Sequence, residues 1–336
     1  MLAGGNTAGA EILLRDFLER HQVWIYFASV VIGAATAWAI GGTEQLEALV
    51  NPALALMLFV TFLQVPLRDI GKAFRSIHFI TALLVANFVI IPLLVFVLLQ
   101  FASDDPMVRL GILMVLLTPC IDYVITFSHL GRADARLLLA STPLLLITQM
   151  ILLPVYLAAF LRGEASELIS AGPFLHAFVW LIAVPLVVAG LVQLWASRTS
   201  TGRRISDGLG LLPVPSTALV LFLVVAATIP LLGSAIDRAL AALPLYLAFA
   251  VIAPVLGWLT ARAVGLGVPA ARSVAFSGAT RNSLVVLPLA LAVPGAVPVL
   301  PAVIVTQTLV ELLAELVYIR IMPCVGRSRD VAKQSA

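Results

Sequence analysis

The sequence predicts an all-α membrane protein of about ten transmembrane helices, and three observations lead to this fold class. Hydrophobic residues make up 62% of the 336 residues and charged residues only 11%, whereas soluble domains average roughly 45–50% and about 25%. Apolar runs of about 20 residues, long enough to cross ~30 Å of hydrocarbon, recur from end to end. Basic residues collect between these runs on one side. Lipid is therefore the main solvent of this chain.

The apolar runs, bounded by polar residues, Gly or Pro, define ten spans. They lie at residues 23–41, 48–64, 79–101, 107–130, 134–161, 172–194, 212–236, 243–262, 270–292 and 297–321. Unpaired backbone groups in hydrocarbon cost several kcal/mol each, and the runs lack the alternation of barrel strands, so each span is predicted to be helical. Residues 1–22 are too polar for a signal peptide and are predicted to form a cytoplasmic amphipathic lead-in. Residues 322–336 are predicted to be a cytoplasmic tail.

The positions of Lys and Arg predict that both termini are cytoplasmic. With the N-terminus inside, all but four of the 20 basic residues fall on the cytoplasmic side. The exceptions are Arg109, Arg162 and Arg238, which fall on the other side, and Arg281, which lies within a span. This bias follows the positive-inside rule and favours an even number of spans.

The ten spans divide into two sets of five, which predicts an inverted repeat. Residues 23–161 form the first repeat and residues 172–321 the second, while residues 162–211 include the linker and the sixth helix. Two pairs of short motifs recur at similar separations: Thr118-Pro119-Cys120 with Thr148-Gln149, and Thr280-Arg281-Asn282 with Thr306-Gln307. Inverted repeats with interrupted helices near the midplane are typical of secondary transporters.

Polar residues interrupt the fourth and ninth spans, at residues 117–123 and 277–283. Pro119 removes a backbone donor and is expected to break the fourth helix. A charge at the centre of a membrane helix costs ~2.5–3.5 kcal/mol on insertion scales, so Asp122 and Arg281 are expected to face each other or a wet cavity. Two interpretations remain open: a structural ion pair that locks the broken helices, or groups that bind substrate or a coupling ion.

Cys120 lies within the first interruption and has two interpretations. A small residue there permits close helix approach. A thiolate is a soft ligand, and a nearby Arg281 cation favours the thiolate form, which makes thiophilic substrates plausible.

Polar residues of the fifth and tenth spans are further candidates. Gln307, Glu311 and Glu315 share one helical face that is expected to point inward. Glu311 is either a proton carrier or a hydrogen-bonded structural residue, and Glu315, nearer the cytoplasmic end, is expected to be solvated. Gln149 is either a cation ligand or an interhelical hydrogen-bond partner.

Several function classes are excluded by what the sequence lacks. It contains no zinc-ligand cluster, P-loop, nucleophile elbow or His-rich group, so neither an enzyme nor a cofactor is expected. A formal net charge of +3, without a basic patch, gives no support for nucleic-acid binding. Without an ATP-binding motif, transport would need an ion gradient or the gradient of the substrate itself.

Three segments resemble the bile acid:sodium symporter superfamily and, within it, the arsenite-efflux permease branch. These are residues 120–134, with a Cys followed by an apolar run and a Leu-Gly loop, residues 276–291, and the Leu-Val-Glu motif that ends at Glu311. The resemblance implies two inverted five-helix repeats, a panel and a core domain, and broken fourth and ninth helices that cross near the substrate. It also implies that Cys120 matches the thiol associated with trivalent arsenic transport.

One departure from the family pattern concerns sodium coupling. The family usually has a Glu in the ninth-helix crossing, where this chain has Arg281-Asn282-Ser283-Leu284. The loss of that Glu removes a family sodium ligand. We hypothesise that the carboxylate has moved to Asp122 on the fourth helix.

The combined prediction is a plasma-membrane efflux carrier for arsenite or antimonite, driven by proton exchange. The predicted substrate-binding residues are Cys120, Arg281, Asn282 and Thr280. The predicted ion- or proton-coupling residues are Asp122, Glu311, Gln149 and Gln307. One alternative is a sodium- or proton-coupled symporter of a small organic anion whose carboxylate binds Arg281, and another is a non-transporting membrane sensor.

Overall fold

The computed structural model describes residues 4–64, 76–121, 123–160, 176, 179–231 and 235–326, and these are almost entirely helical. The only β-type pairing within these ranges is an isolated antiparallel bridge between Pro119 and Arg281. The α-helices of the described ranges are α1 (Gly4–Ala39), α2 (Glu47–Gln64), α3 (Ile77–Leu99), α4 (Pro106–Leu116), α5 (Tyr123–Leu130), α6 (Ala135–Phe160), α7 (Val184–Ala196), α8 (Ser200–Leu209), α9 (Pro213–Thr228), α10 (Ala235–Ala241), α11 (Leu243–Ala263), α12 (Val268–Ala279), α13 (Ser283–Leu291) and α14 (Val299–Ile321).

Six helical segments of the described chain are long and apolar enough to cross a membrane. They are Leu13–Ala39, Thr43–Gln64, Ile77–Leu99, Ala135–Phe160, Ala235–Ala263 and Val299–Cys324. A seventh results if α8 and α9, which meet at a bend of 41°, are taken as one span. The prediction of an all-α protein with multiple membrane-spanning helices is confirmed at this level.

The predicted fourth and ninth spans are each divided into two short helices. Asp105 caps the start of α4, since its carboxylate accepts from the backbone N–H of Met107 at 2.9 Å, and the chain leaves helical geometry after Leu116. Helix α12 ends at Thr280, whose φ of −94° and ψ of 126° are extended. The next helix after each break, α5 or α13, begins within a few residues.

The first helix does not stop at the predicted boundary of the lead-in. Helix α1 runs from Gly4 through residue 22 to Ala39. Several of the basic residues that predict the orientation lie outside the described residues, as do the linker at 162–171 and the last part of the tail, so the orientation stays a prediction.

The chain forms two compact units, and each draws on both predicted repeats. The first unit contains Met1–Gln64, Ile169–Ile236 and Leu287–Ala302, and the second contains Val65–Leu168, Asp237–Val286 and Val303–Ala336. In the first unit, α9 packs against both α1 and α2, and α2 packs against α7. In the second unit, α11 packs along α12, and the two helix breaks lie in this unit. The candidate site therefore belongs to the second unit.

We expect Gly257→Ala to destabilise the second unit by about 1–3 kcal/mol, the usual cost of overpacking. A Cβ at Gly257 would lie 2.8 Å from the carbonyl oxygen of Val274 and 2.9 Å from the Cα of Ala275. Both are backbone atoms of α12, so neither can rotate away. Thermal unfolding in detergent measures the effect. In the control Gly208→Ala, the new Cβ meets no described atom within 4 Å, and equal stability of the two variants would contradict the expectation.

Candidate functional site

The two helix breaks pair with each other through their backbones. The N–H of Cys120 donates to the carbonyl of Thr280 at 3.0 Å, and the N–H of Asn282 donates to the carbonyl of Thr118 at 2.8 Å. We call these two segments, Thr118–Cys120 and Thr280–Asn282, the crossing. All of its residues are buried. Non-helical backbone is tolerated deep in a membrane protein where other protein groups satisfy its hydrogen bonds. Here each break supplies a backbone hydrogen-bond partner to the other.

The guanidinium of Arg281 binds the C-terminal ends of two helices. Its Nη2 donates to the carbonyls of Ser277 at 2.5 Å and Gly278 at 2.7 Å, both in the last turn of α12. Its Nη1 donates to the carbonyl of Leu116, the last residue of α4, at 3.3 Å. The last carbonyls of a helix lack intrahelical partners and carry partial negative charge. Arg281 therefore satisfies and neutralises both broken ends at once.

Asn87 supplies a side-chain oxygen to the same cation, at 2.8 Å from Nη2 of Arg281. Its amide nitrogen donates to the carbonyl of Leu83 and to the hydroxyl of Ser277, which directs its oxygen towards the guanidinium. Asn87 lies in a π-helical segment of α3, Ala86–Ile90, and such segments often occur at functional sites. The sequence analysis missed Asn87, although it is the only amide side chain within residues 77–99.

Glu311 joins α14 to the crossing through three donors. Its carboxylate accepts from the hydroxyl of Tyr123, from the backbone N–H of Arg281 at 2.7 Å and from the amide nitrogen of Gln307 at 2.6 Å. The structure thus brings Gln307, Glu311 and Arg281 together. A buried carboxylate with three donors is well stabilised.

Glu315 lies one helical turn after Glu311 and is fully buried, with no exposed surface. Its Oε1 lies at hydrogen-bond distance from the hydroxyl of Thr280. The expectation that Glu315 is solvated was wrong. Although it lies near the end of a predicted span, its side chain is buried against Thr280, the residue at which α12 is interrupted.

Asn282 begins the second half of the broken ninth span. Its side-chain oxygen accepts from the backbone N–H of Val285 at 3.3 Å, which caps the start of α13. Its amide nitrogen is buried and has no hydrogen-bond partner in the described part of the chain. This donor at the crossing is therefore available to a ligand.

Other buried polar atoms also have no hydrogen-bond partner among the residues that the structure describes. In the second unit they are both amide atoms of Gln149, the hydroxyl of Tyr246, Nε of Arg281, Oε1 of Gln307 and Oε2 of Glu315, and in the first unit they are Nε2 of Gln22 and Oγ1 of Thr43. Buried polar groups in proteins are nearly always paired, so a group of exceptions requires an explanation. Most of these atoms belong to the second unit, which also contains the crossing.

Of the two residues predicted in the first interruption, Cys120 lies within the described structure and Asp122 does not. Cys120 is completely buried at the crossing, and its backbone N–H donates to the carbonyl of Thr280, the residue before Arg281. Asp122 lies outside the described residues, so its predicted pairing with Arg281 stays a prediction. Within the described ranges no group of three or more His, Cys, Asp or Glu side chains could hold a metal ion.

Comparison with known families gives one match. The sequence profile of the Sodium Bile acid symporter family matches residues 51–235, which is more than half of the chain. The matched range includes the Thr118–Cys120 segment of the crossing and ends before the Thr280–Asn282 segment. A search of curated proteins found no match.

Proposed function

The chain belongs to the sodium bile acid symporter family of membrane transporters, and from this premise we propose that it exports arsenite or antimonite in exchange for protons. The observation that carries the proposal is the burial of the Cys120 thiol at the crossing, where its backbone is held by Thr280. Trivalent arsenic and antimony are thiophilic, and a thiolate is a soft ligand that prefers soft acceptor atoms. Secondary transporters place substrates where discontinuous helices meet.

The bonding of Arg281 favours a soft neutral substrate over an organic carboxylate. Both terminal nitrogens of the guanidinium already donate to protein oxygens. A carboxylate that bound both terminal nitrogens would have to displace these oxygens, which would leave buried carbonyls unpaired at about 1–3 kcal/mol each. Within the described part of the chain only Nε, which has no partner there, could receive it without this cost. We therefore assign Arg281 the role of a fixed positive charge beside Cys120, with Thr280 and Asn282 lining the same site.

A sodium-coupled symporter of a small organic anion is the second candidate function. The family's name supports it, and so do the unpaired amide atoms of Asn282, Gln307 and Gln149, which suit a polar substrate or a cation. A non-transporting sensor in which the buried charges are only structural is a third possibility.

The architecture that we propose for this transporter has ten membrane crossings in two inverted five-helix repeats, with both termini cytoplasmic, in the plasma membrane. Asp122 and Glu311 are proposed as proton-coupling carboxyls, and Gln149 and Gln307 as polar groups that support them. The two breaks and their mutual pairing support this arrangement, because they fall at corresponding positions of the two predicted repeats.

A substrate panel in proteoliposomes tests the proposal. Purified protein is expected to move arsenite and antimonite when a proton gradient is imposed, and to do so equally with sodium or potassium as the only alkali cation. Sodium-driven uptake of a bile-acid-type anion without arsenite movement would replace the proposal with the second candidate. Movement of neither substrate under either gradient would favour the sensor.

A further inference from the structure

The hydroxyl of Thr280 lies within hydrogen-bond distance of two oxygens, and its single proton cannot serve both. The hydroxyl oxygen of Thr280 lies 2.8 Å from the carbonyl oxygen of Phe276 and 2.5 Å from Oε1 of Glu315. A hydroxyl has one proton to donate, and a carbonyl can only accept. When the hydroxyl of Thr280 donates its proton to the carbonyl of Phe276, it can only accept from Glu315. The contact with Glu315 is then a hydrogen bond only if the carboxyl of Glu315 carries a proton to donate.

The second oxygen of Glu315 supports the same protonation state. Oε2 is buried and has no hydrogen-bond partner within the described ranges. An ionised carboxylate would leave a negatively charged oxygen unsolvated, which is far more costly than leaving a neutral carbonyl-type oxygen unpaired. No salt bridge joins Glu315 to Lys or Arg in the described part of the chain.

The charged and titratable groups around Glu315 also favour a neutral acid. Glu311, one turn earlier on α14, accepts from the backbone N–H of Arg281 and the amide of Gln307, which can only donate, so it is the better-stabilised carboxylate of the two. The hydroxyl of Tyr123 contacts both Glu311 and the carbonyl of Arg281 and has one proton for the two. The hydroxyl of Tyr318 donates to the carbonyl of Ala250 rather than to Glu315. The guanidinium of Arg281 balances one negative charge but not two.

We infer that Glu315 is a protonated carboxylic acid in this conformation and that it carries the proton exchanged for substrate. The second half of this inference rests on the proposed proton exchange, whereas the first half does not. Glu315 thereby joins Asp122 and Glu311 as a carboxyl of the proposed proton pathway.

Ionisation of Glu315 would change the hydrogen bonding of the crossing. When the proton leaves Oε1 for water, the resulting carboxylate can only accept, so the hydroxyl of Thr280 turns from Phe276 to Glu315. The carbonyl of Thr280 accepts the N–H of Cys120. Thr280, whose hydrogen bond changes when Glu315 loses its proton, is thus bonded to the backbone of Cys120. Reprotonation of Glu315 from the opposite side of the membrane restores the first arrangement.

Infrared spectroscopy of the purified protein at neutral pH tests the protonation state without any substrate. We expect a carboxylic-acid C=O band in the wild type that disappears in Glu315→Gln. The band should move to higher frequency in Thr280→Val, which lacks the hydroxyl, and stay in place in Thr280→Ser. The control Glu19→Gln changes an exposed carboxylate and should leave the band unchanged. A wild type without the band, or a band that persists in Glu315→Gln, would overturn the inference.

Transport assays test the coupling. In Glu315→Gln, arsenite movement driven by a proton gradient should fall to the rate of protein-free vesicles. Exchange of labelled for unlabelled arsenite at equal concentrations should continue, because it needs no net proton movement. Parallel loss of both activities would indicate a purely structural role and refute the coupling. If the wild type moves no arsenite, the coupling fails together with the proposed function, while the infrared result still decides the protonation state.

Discussion

Arg281→Gln is expected to lower the free energy of unfolding by about 3–5 kcal/mol, the usual cost of removing one partner from a buried charged network, and to abolish transport. The shorter neutral side chain cannot reach the ends of both α4 and α12. The carbonyls of Leu116, Ser277 and Gly278 and the side-chain oxygen of Asn87 would lose a charged donor in a region without exposed surface. Denaturant or thermal unfolding in detergent measures the loss.

Two further variants identify the cause of that loss. Arg238→Gln is the matched control, because Arg238 is exposed and pairs with Asp105 at 3.4 Å, and an exposed ion pair contributes about 0–1 kcal/mol. Arg281→Lys keeps the charge but not the planar fork that binds several oxygens, so an intermediate stability is expected. If Arg281→Gln and Arg238→Gln were equally stable, the bridging role of Arg281 would be refuted.

Cys120→Ser is expected to reduce arsenite and antimonite efflux to background, whereas the protein should still fold. The substitution exchanges a soft sulfur for a hard oxygen of similar size. The backbone N–H of Cys120 keeps its bond to Thr280, because the side chain takes no part in it. Uptake of arsenite into everted vesicles, with the amount of protein measured in the same membranes, gives the result.

The second cysteine of the chain provides the matched control for this substitution. Cys324 is exposed and follows α14, whereas the residues of the crossing are buried, so Cys324→Ser should transport at the wild-type rate. Under the second candidate function, movement of an organic anion would instead survive in both variants. Wild-type arsenite efflux by Cys120→Ser would remove the thiol from the proposed site.

The helical class and the two breaks could be predicted because they depend on local chemistry. Apolar length requires helices in lipid, and Pro119 removes a donor within a run that is otherwise apolar. The extended backbone at Thr280 follows Ser277, Gly278 and Ala279, and glycine is a poor helix former. These signals are contained in a few neighbouring residues, so no knowledge of tertiary contacts is needed to recognise them.

The partners of the buried polar groups could not be predicted, because they depend on contacts between distant segments. The sequence analysis did not foresee that the guanidinium of Arg281 donates to the backbone carbonyls of two helix ends and to Asn87. The position of Asn87 depends on the π-helical turn in α3, which shifts the face that its side chain occupies. The burial of Glu315 likewise depends on the packing of α14 beside Thr280.

The crossing has a consequence for how such a protein can diversify. Its two segments are joined by peptide groups, at Cys120 to Thr280 and at Asn282 to Thr118, and every amino acid except proline carries both groups. The backbone hydrogen bonds of the crossing therefore do not require particular side chains at those four positions. Exchange of a single one of them can alter what the protein accepts as cargo while the scaffold survives, so new specificities are within reach of one-step mutation.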